Sequence, residues 1–398
     1  MVAIRMKKIN LNYKIITVIL SFILINCVSA AKELPKNITT SPDSEIITVD
    51  DDGDEDYLGI NEAIDAANPG TIIFVYSGVY SENLIVNKHL ILIGMKDEGE
   101  DIPIINPVDS SDDTITIDAN DCILYGFKIF SPGNYKKAGI KINSNNNLIE
   151  KNIILNGSFF GILLNHTENN RISNNTIYNN NWGVKISYSK KNFITKNDFQ
   201  DNWIGNYLHC SSENIIEENN FLNNYYGIAS MYQSNSNNFI KNNFYDNDYG
   251  LDLWKSNSNN IEGNIISGSK HDGIRIWGCK NNNIKYNNLT NNVRNGIQIY
   301  YGLSQKIIGN NFINNTLGLF LRSWSKFHSI KSNNFVNNKN SATFYSSCFN
   351  YWNSNYWDDN DGKRIYVIKG KIGRLKRLKI EIKWVNIDLK PLEEPFSK

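Results

Sequence analysis

Residues 249–271 read YGLDLWKSNSNNIEGNIISGSKH, residues 272–294 read DGIRIWGCKNNNIKYNNLTNNVR, and residues 295–300 begin again with NGIQIY. Each unit opens on glycine followed by an apolar alternation, and each ends in an asparagine-rich stretch. Period-2 alternation marks a strand with one face inward and one outward. The same glycine recurs at Gly139, Gly161, Gly183, Gly205, Gly227, Gly250, Gly273, Gly296 and Gly318, in steps of 22 or 23 residues. A second landmark follows about thirteen residues later, as in Asn175-x-Ile177, Asn219-x-Phe221 and Asn264-x-Ile266. Between them lies a further apolar residue, read as Ile172, Ile194, Ile216, Ile240, Ile261, Ile284 or Ile308.

Each unit therefore holds three short strands separated by turns. Such a unit cannot bury its apolar face alone, so successive units must coil and stack. Parallel strands joined by crossovers take the right hand. The expected fold is all-β: a right-handed parallel β-helix, with identical positions forming columns along its axis. Stacked asparagines would then form an amide ladder, each donating to one neighbour and accepting from the next. The glycine column is read as turns that need positive φ.

The chain divides by character. Residues 1–30 resemble a signal peptide, with Arg5, Lys7, Lys8 and Lys14 ahead of an apolar run and a small-residue site near Ala30. Uncleaved, that segment would be the chain's contact with a membrane. Residues 31–44 read as a linker. Residues 45–138 read as an N-terminal cap with the first turns, including a short amphipathic helix at 58–67. Residues 139–349 carry the repeats. Residues 350–398 form an aromatic and basic tail that closes the solenoid, its basic side either an outer face or a contact for anionic polymer. The whole chain has 41 basic and 40 acidic residues. Without residues 1–30 the basic count falls by four to 37, a net −3, which argues against nucleic acid as a partner. The five cysteines lie far apart, and Cys210 and Cys279 fall three turns from each other, beyond disulfide reach. Free thiols are expected.

With repeats and cap in hand, the chain resembles the pectin-lyase-like superfamily, and within it the NosD-type β-helix proteins. The resemblance rests on Val49 to Gly53 running into INEAID (60–65), on PGTIIFVYSGVYSENLIVNK (69–88), on the repeat, and on the aromatic segment 350–359 followed by WVNIDLKPLEEP (384–395). It implies a β-helix, a carbohydrate-binding or sugar-hydrolase type of domain, and a link to periplasmic copper supply. It specifies fold far better than activity.

Site candidates come from the outward columns. One column contains Asp252, Arg275 and Gln298 on successive turns. The next contains His209, Met231, Trp254, Trp277 and Tyr300, and the position before each glycine contributes Tyr226, Tyr249 and Asp272. Aromatic rings stack on sugar faces, while acids, amides and arginine bond hydroxyls. Tyr226, Tyr249, Trp254, Trp277, Tyr300 and Gln298 are thus candidate carbohydrate-binding residues, and a polysaccharide or envelope glycan is the expected partner. A loop or the C-terminal tail covering this face is the alternative. Asp252, Asp272 and Arg275 are the candidates for catalysis in a lyase, epimerase or hydrolase, or else a surface ion pair. His209, Cys210 and Met231 are the candidate copper ligands. Calcium is the candidate ion for the acidic run 50–56, although an EF-hand alignment would put Gly59 where an acid is required. The expected setting is secreted or cell-surface.

Overall fold

The structure is a computed structural model and describes residues 45–53, 55–96, 101–375 and 380–397. The signal-like segment, the linker and Cys27 lie outside these residues. Three strands make each turn. The first strand of the turn is long, as in Tyr249–Trp254, and the second and third are short, as in Asn260–Glu262 and Ile265–Ser267. Every strand pairs in parallel with its equivalents one turn before and after, as Leu251↔Ile274 and Ile261↔Ile284. The third strands form one 13-stranded sheet. The pairing runs beyond both ends of the glycine repeat, from Ile46 to Trp357.

The core is a set of single-residue columns. The third strands contribute Phe199, Phe221 and Phe244, with rings stacked 4.7 and 4.8 Å apart. The second strands contribute Ile194, Ile216, Phe239, Ile261, Ile284 and Ile307, all without exposure. Here the sequence reading slipped by one residue: Phe239 and Ile307 point inward, while Ile240 and Ile308 face outward beside Glu217 and Lys285. Both short strands carry two apolar residues in a row, so apolar character alone does not choose between them. A one-residue slip inverts the face.

The glycines do a different job from the one expected. None of the repeat glycines has positive φ. A Cβ on Gly250 would lie 2.6 Å from the carbonyl oxygen of Gly273 and 2.7 Å from Cγ2 of Ile266. The position is therefore closed to any side chain by the next turn's backbone. The left-handed residues are instead turn residues just ahead of the ladder asparagines, such as Lys196, Glu218 and Lys241.

Three corner ladders hold the turns in register, where the sequence pointed to one. In the ladder following the second strand, Asn219 Nδ2 donates to Asn242 Oδ1 at 3.0 Å, and Asn242 Nδ2 donates to Asn264 Oδ1 at 3.1 Å. The backbone N–H of each asparagine donates to the same oxygen one turn on. Parallel ladders run through Asn170, Asn192 and Asn214, and through Asn180, Asn202 and Asn224. The first ends abnormally. Gln305 replaces asparagine, and its N–H donates to Nδ1 of His328 at 3.0 Å. The described cysteines, Cys122, Cys210, Cys279 and Cys348, are free thiols. Cys279 takes a corner position, accepting from the N–H of Ser256.

Both ends are closed. The helix Ile60–Ala66 covers the first turns, and its N-terminal amides at Ile60 and Asn61 both donate to the carboxylate of Glu82 at 2.8 Å. In the acidic run, Asp51 accepts from Val79 N–H and Asp56 from Thr48, so two of these acids fasten the cap. At the far end, Trp352 and Trp357 extend the core columns under Ile330 and Phe335. An antiparallel hairpin of Tyr366–Leu375 and Ile380–Asp388 then continues the first- and second-strand columns together. Asp388, fully buried, terminates the asparagine ladder by accepting from Asn355 and from Trp357 Nε1.

Two outcomes test this account. Replacing Asn242 by Ala orphans the backbone N–H of Asn219 and removes one of the three acceptors of its Nδ2, and should cost about 1–3 kcal/mol in urea unfolding. Burial pushes His328 down to about 3 from its usual 6.5, so between those values the unfolded chain binds the extra proton. Stability should fall as pH drops through that window, by about 1.4 kcal/mol per unit for this group, and level off below it. A His328→Asn variant should lack that component when the two pH–stability curves are subtracted.

Candidate functional site

The register skips each repeat glycine: Tyr226 pairs with Tyr249, then Ile228 with Leu251. Both strands depart from the ladder at the glycine together, so the residue before it joins the outward side along with the two expected positions. Each long strand therefore offers three outward columns, and their sequence-read membership holds throughout, as Ala229↔Asp252↔Arg275↔Gln298 and Met231↔Trp254↔Trp277↔Tyr300.

Along the last of these columns lies an unbroken ribbon of rings. His166 stacks on Tyr188 at 5.0 Å, Tyr188 meets His209 edge-on at 5.5 Å, and His209 meets Tyr232 at 5.2 Å. Tyr232 contacts Trp254 at 4.9 Å, Trp254 lies 6.3 Å from Trp277, and Trp277 stacks on Tyr300 at 5.4 Å. The guanidinium of Arg322 closes the run, 4.4 Å over Tyr300. These eight residues come from eight successive turns. Tyr188 is 53% exposed and Trp277 45%. The C-terminal tail does not cover them. It lies along the third-strand sheet, where Phe396 exchanges backbone hydrogen bonds with the side chain of Asn334.

A second aromatic line runs beside the ribbon at the strand starts. Lys185 lies over the rings of Phe160, Trp182 and Tyr207, and burial together with Lys136 lowers its pKa. Tyr226 stacks on Tyr249, and Tyr249 on His271 at 4.8 Å. Outside them, Trp203 stacks flat on Tyr225 at 4.0 Å. Sequence reasoning missed Tyr188, Tyr232 and Trp203, and read Trp182 into the outward column before the glycines without making it a site candidate. Their signal was the turn residue after each long strand and the two residues before each glycine, columns that mix aromatics with Asn and Lys.

The polar candidates sit differently from expectation. Asp252, Asp272 and Gln298 occupy outward positions yet are almost fully buried, at 3%, 2% and 4% exposure, because large rings on both flanking columns close over them. Asp252 is engaged by Arg275 through a bidentate pair at 2.9 and 2.8 Å. Arg275 also donates to Tyr226 Oη at 3.3 Å and lies 4.1 Å over Tyr249. Asp272 stands apart from that pair and accepts from Asn295 Nδ2 at 2.6 Å. Burial raises its pKa, and this hydrogen bond and Arg294 only partly oppose the rise. The three catalytic candidates thus divide into an ion pair and a shielded carboxyl.

For metals, His209 and Met231 are register partners. His209 Nδ1 lies 3.3 Å from Tyr207 Oη, and burial lowers its pKa. Cys210 lines a groove with His166, Glu168 and Tyr188. Among the described residues no three His, Cys, Asp or Glu side chains form a cluster able to hold an ion.

Two family descriptions match the chain. "Right handed beta helix region" covers residues 111–266, and "Periplasmic copper-binding protein (NosD)" covers residues 223–362. The turns are those of a NosD-type right-handed β-helix. A cell surface glycoprotein of Methanothermus fervidus is 31% identical over 153 residues, which is 37% of this chain and 23% of that protein. The chain thus spans about a quarter of the length of the curated relative it matches. Among solved structures, a double mutant of the periplasmic alginate epimerase AlgG is 16% identical with a TM-score of 0.46, over 72% of this chain and 71% of that one. The complex of XylC with xylose is 11% identical with a TM-score of 0.49, over 86% and 95%.

The ion pair and the ribbon should respond differently to substitution. Arg275→Gln leaves Asp252 buried without its cation and should destabilise by about 3–5 kcal/mol. Trp277→Ala removes a half-exposed ring and should shift stability by well under that. Paired urea titrations measure both.

Proposed function

We propose that this NosD-type right-handed β-helix is an exported, surface-held protein that binds an extended polysaccharide along its aromatic ribbon without chemical conversion. One observation carries the reading: the ribbon from His166 to Arg322 is continuous and parallel to the solenoid axis, with His166, Tyr188, Tyr232 and Trp277 exposed and the other four half-buried. Its rings repeat at the strand spacing of about 4.8 Å, close to the length of one pyranose unit. A linear glycan laid along the axis would therefore meet a ring at nearly every sugar. An exposed aromatic strip on this scale marks a binding surface.

Export is supported by the signal-like residues 1–30 and by the matched relative, which is named a cell surface glycoprotein. A rigid solenoid suits that setting, since each turn contacts only its neighbours and presents a long straight face.

A catalytic reading has one observation in its favour, the shielded carboxyl of Asp272 with its raised pKa beside Tyr249 and His271. A buried carboxyl whose pKa is raised is better suited to act as a general acid. A copper-binding role, with His209 and Met231 as ligands, is supported by the family description over residues 223–362.

A glycan array run with residues 31–398, with product assays on the hits, separates these. Binding without product is the expected result, and product lost in Asp272→Asn would replace it with the catalytic reading. Trp254→Ala combined with Trp277→Ala should weaken glycan binding at least tenfold, equivalent to about 1.4 kcal/mol, with unchanged unfolding. Unaltered affinity in that variant would sink the ribbon as the site.

A further inference from the structure

Beside the start of the ribbon lies a groove of about 300 Å³, at the small end of the range for ligand sites. It crosses three successive turns. Each turn passes from a left-handed residue, His166, Tyr188 or Cys210, through a small hydroxyl residue, Thr167, Ser189 or Ser211, to a polar one, Glu168, Lys190 or Ser212. The hydroxyl residues form a short ladder of their own. The N–H of Thr167 donates to Ser189 Oγ at 3.0 Å, and that of Ser189 to Ser211 Oγ at 3.1 Å. Thr167 and Ser189, both buried, make the floor of the groove. Each is shorter than the asparagine that fills the other corners, so the floor stays recessed between its walls.

One wall is aromatic: His166 and Tyr188 are exposed and stack at 5.0 Å. The thiol of Cys210 then interrupts that column, and the ribbon crosses to His209 in the neighbouring one. The other wall is polar and in register, with Glu168 bridged to Lys190 and Lys190 to Ser212. Lys190 Nζ lies 3.4 Å from Glu168 Oε2, and both side chains are exposed. A surface pair of this kind contributes little to stability, so its heads are free to turn towards a ligand. Asn145 joins from the turn before. Its Oδ1 accepts from the N–H of Glu168, while its Nδ2 has no partner among the described residues. Ser212 Oγ likewise has none among them. This wall offers donors and acceptors without net charge beside exposed rings, which is what the hydroxyl edge and apolar face of a sugar require.

We propose that this groove holds one neutral pyranose of the ribbon's glycan, its face against His166 and Tyr188 and two adjacent hydroxyls spanning Glu168 and Lys190. A hydroxyl can donate to the carboxylate and accept from the ammonium. An acidic sugar in the same place would meet the Glu168 carboxylate, so the pair gives it no advantage. The proposal rests on the ribbon being a glycan surface and adds to it the class of sugar and the point at which the chain is anchored.

Cys210 reports occupancy, because its free thiol lines the groove. The test follows iodoacetamide alkylation of each cysteine in the full exported chain, with and without saturating cellohexaose, maltohexaose or mannohexaose, and measures binding of each sugar by calorimetry. Cys348, a half-buried free thiol on a distant turn, is the internal reference. The expected result is at least tenfold slower alkylation of Cys210 with one of these sugars bound, and no change at Cys348. Glu168→Gln with Lys190→Met should weaken that sugar at least tenfold. The sugar-free alkylation rate of Cys210 should stay as it was in that variant, which controls for the shape of the groove. Binding that leaves Cys210 alkylated at its free rate would overturn the groove and leave the ribbon intact, as would unchanged affinity in the double variant. Oligogalacturonate bound more tightly than all three neutral sugars would overturn the neutral class. No binding of any of these sugars would overturn the groove and the ribbon together.

Discussion

Everything in this molecule depends on the corner amides. A solenoid turn ends in a bend where the backbone leaves the sheet, and its N–H groups must find acceptors inside a dry core. Each ladder asparagine answers with one oxygen that takes two hydrogens from the turn before, its backbone N–H and its side-chain Nδ2. Satisfaction of the backbone donor therefore comes from the neighbouring turn. The corners therefore stay stacked whether a turn has 22 or 23 residues, and the extra residue is taken up between them without breaking the ladder. The chain ends the ladder with a carboxylate, Asp388, which has acceptor capacity to spare and needs no further partner to accept from it.

The same constraint lays out the outer face. Because corners are fixed, residues at equal offsets stand directly above one another, and a side-chain preference repeated in sequence becomes a line in space. The ribbon from His166 to Arg322 draws on two such neighbouring lines. The ladders hold it in register, and the chain's last residues lie elsewhere, with Phe396 bonded to Asn334 of the third-strand sheet. Position and rigidity come from the core, while the chemistry comes from positions the core does not use. That separation lets one face vary freely: lysine over aromatics at one end and an arginine–aspartate pair in the middle.

Much of this was legible in the residues. The glycine interval gave the turn, the alternation gave the faces, and the outward columns carried the same members in sequence and in space. Three things were not legible, each for a physical reason. Ile240 and Ile308 stand beside equally apolar Phe239 and Ile307, so hydrophobicity could not set the register. Asp252, Asp272 and Gln298 face outward but are roofed by rings from other turns, and burial of that kind depends on neighbours 22 residues away. Asn206 and Ser230 occupy inward positions of the long strand, against the alternation, because one polar residue in a column of apolar ones is tolerated by its neighbours above and below. The glycine column was seen correctly and explained wrongly: close approach of the next turn, not positive φ, excludes a side chain there.

The central claim is that a linear glycan lies along the axis on the ribbon. A crystal structure of the protein with an oligosaccharide of the best-binding glycan tests it most directly. The account predicts consecutive sugar rings stacked over Tyr232, Trp254, Trp277 and Tyr300, with the chain running parallel to the solenoid. Sugar bound across the turns, or on the third-strand sheet with these rings bare, would contradict it.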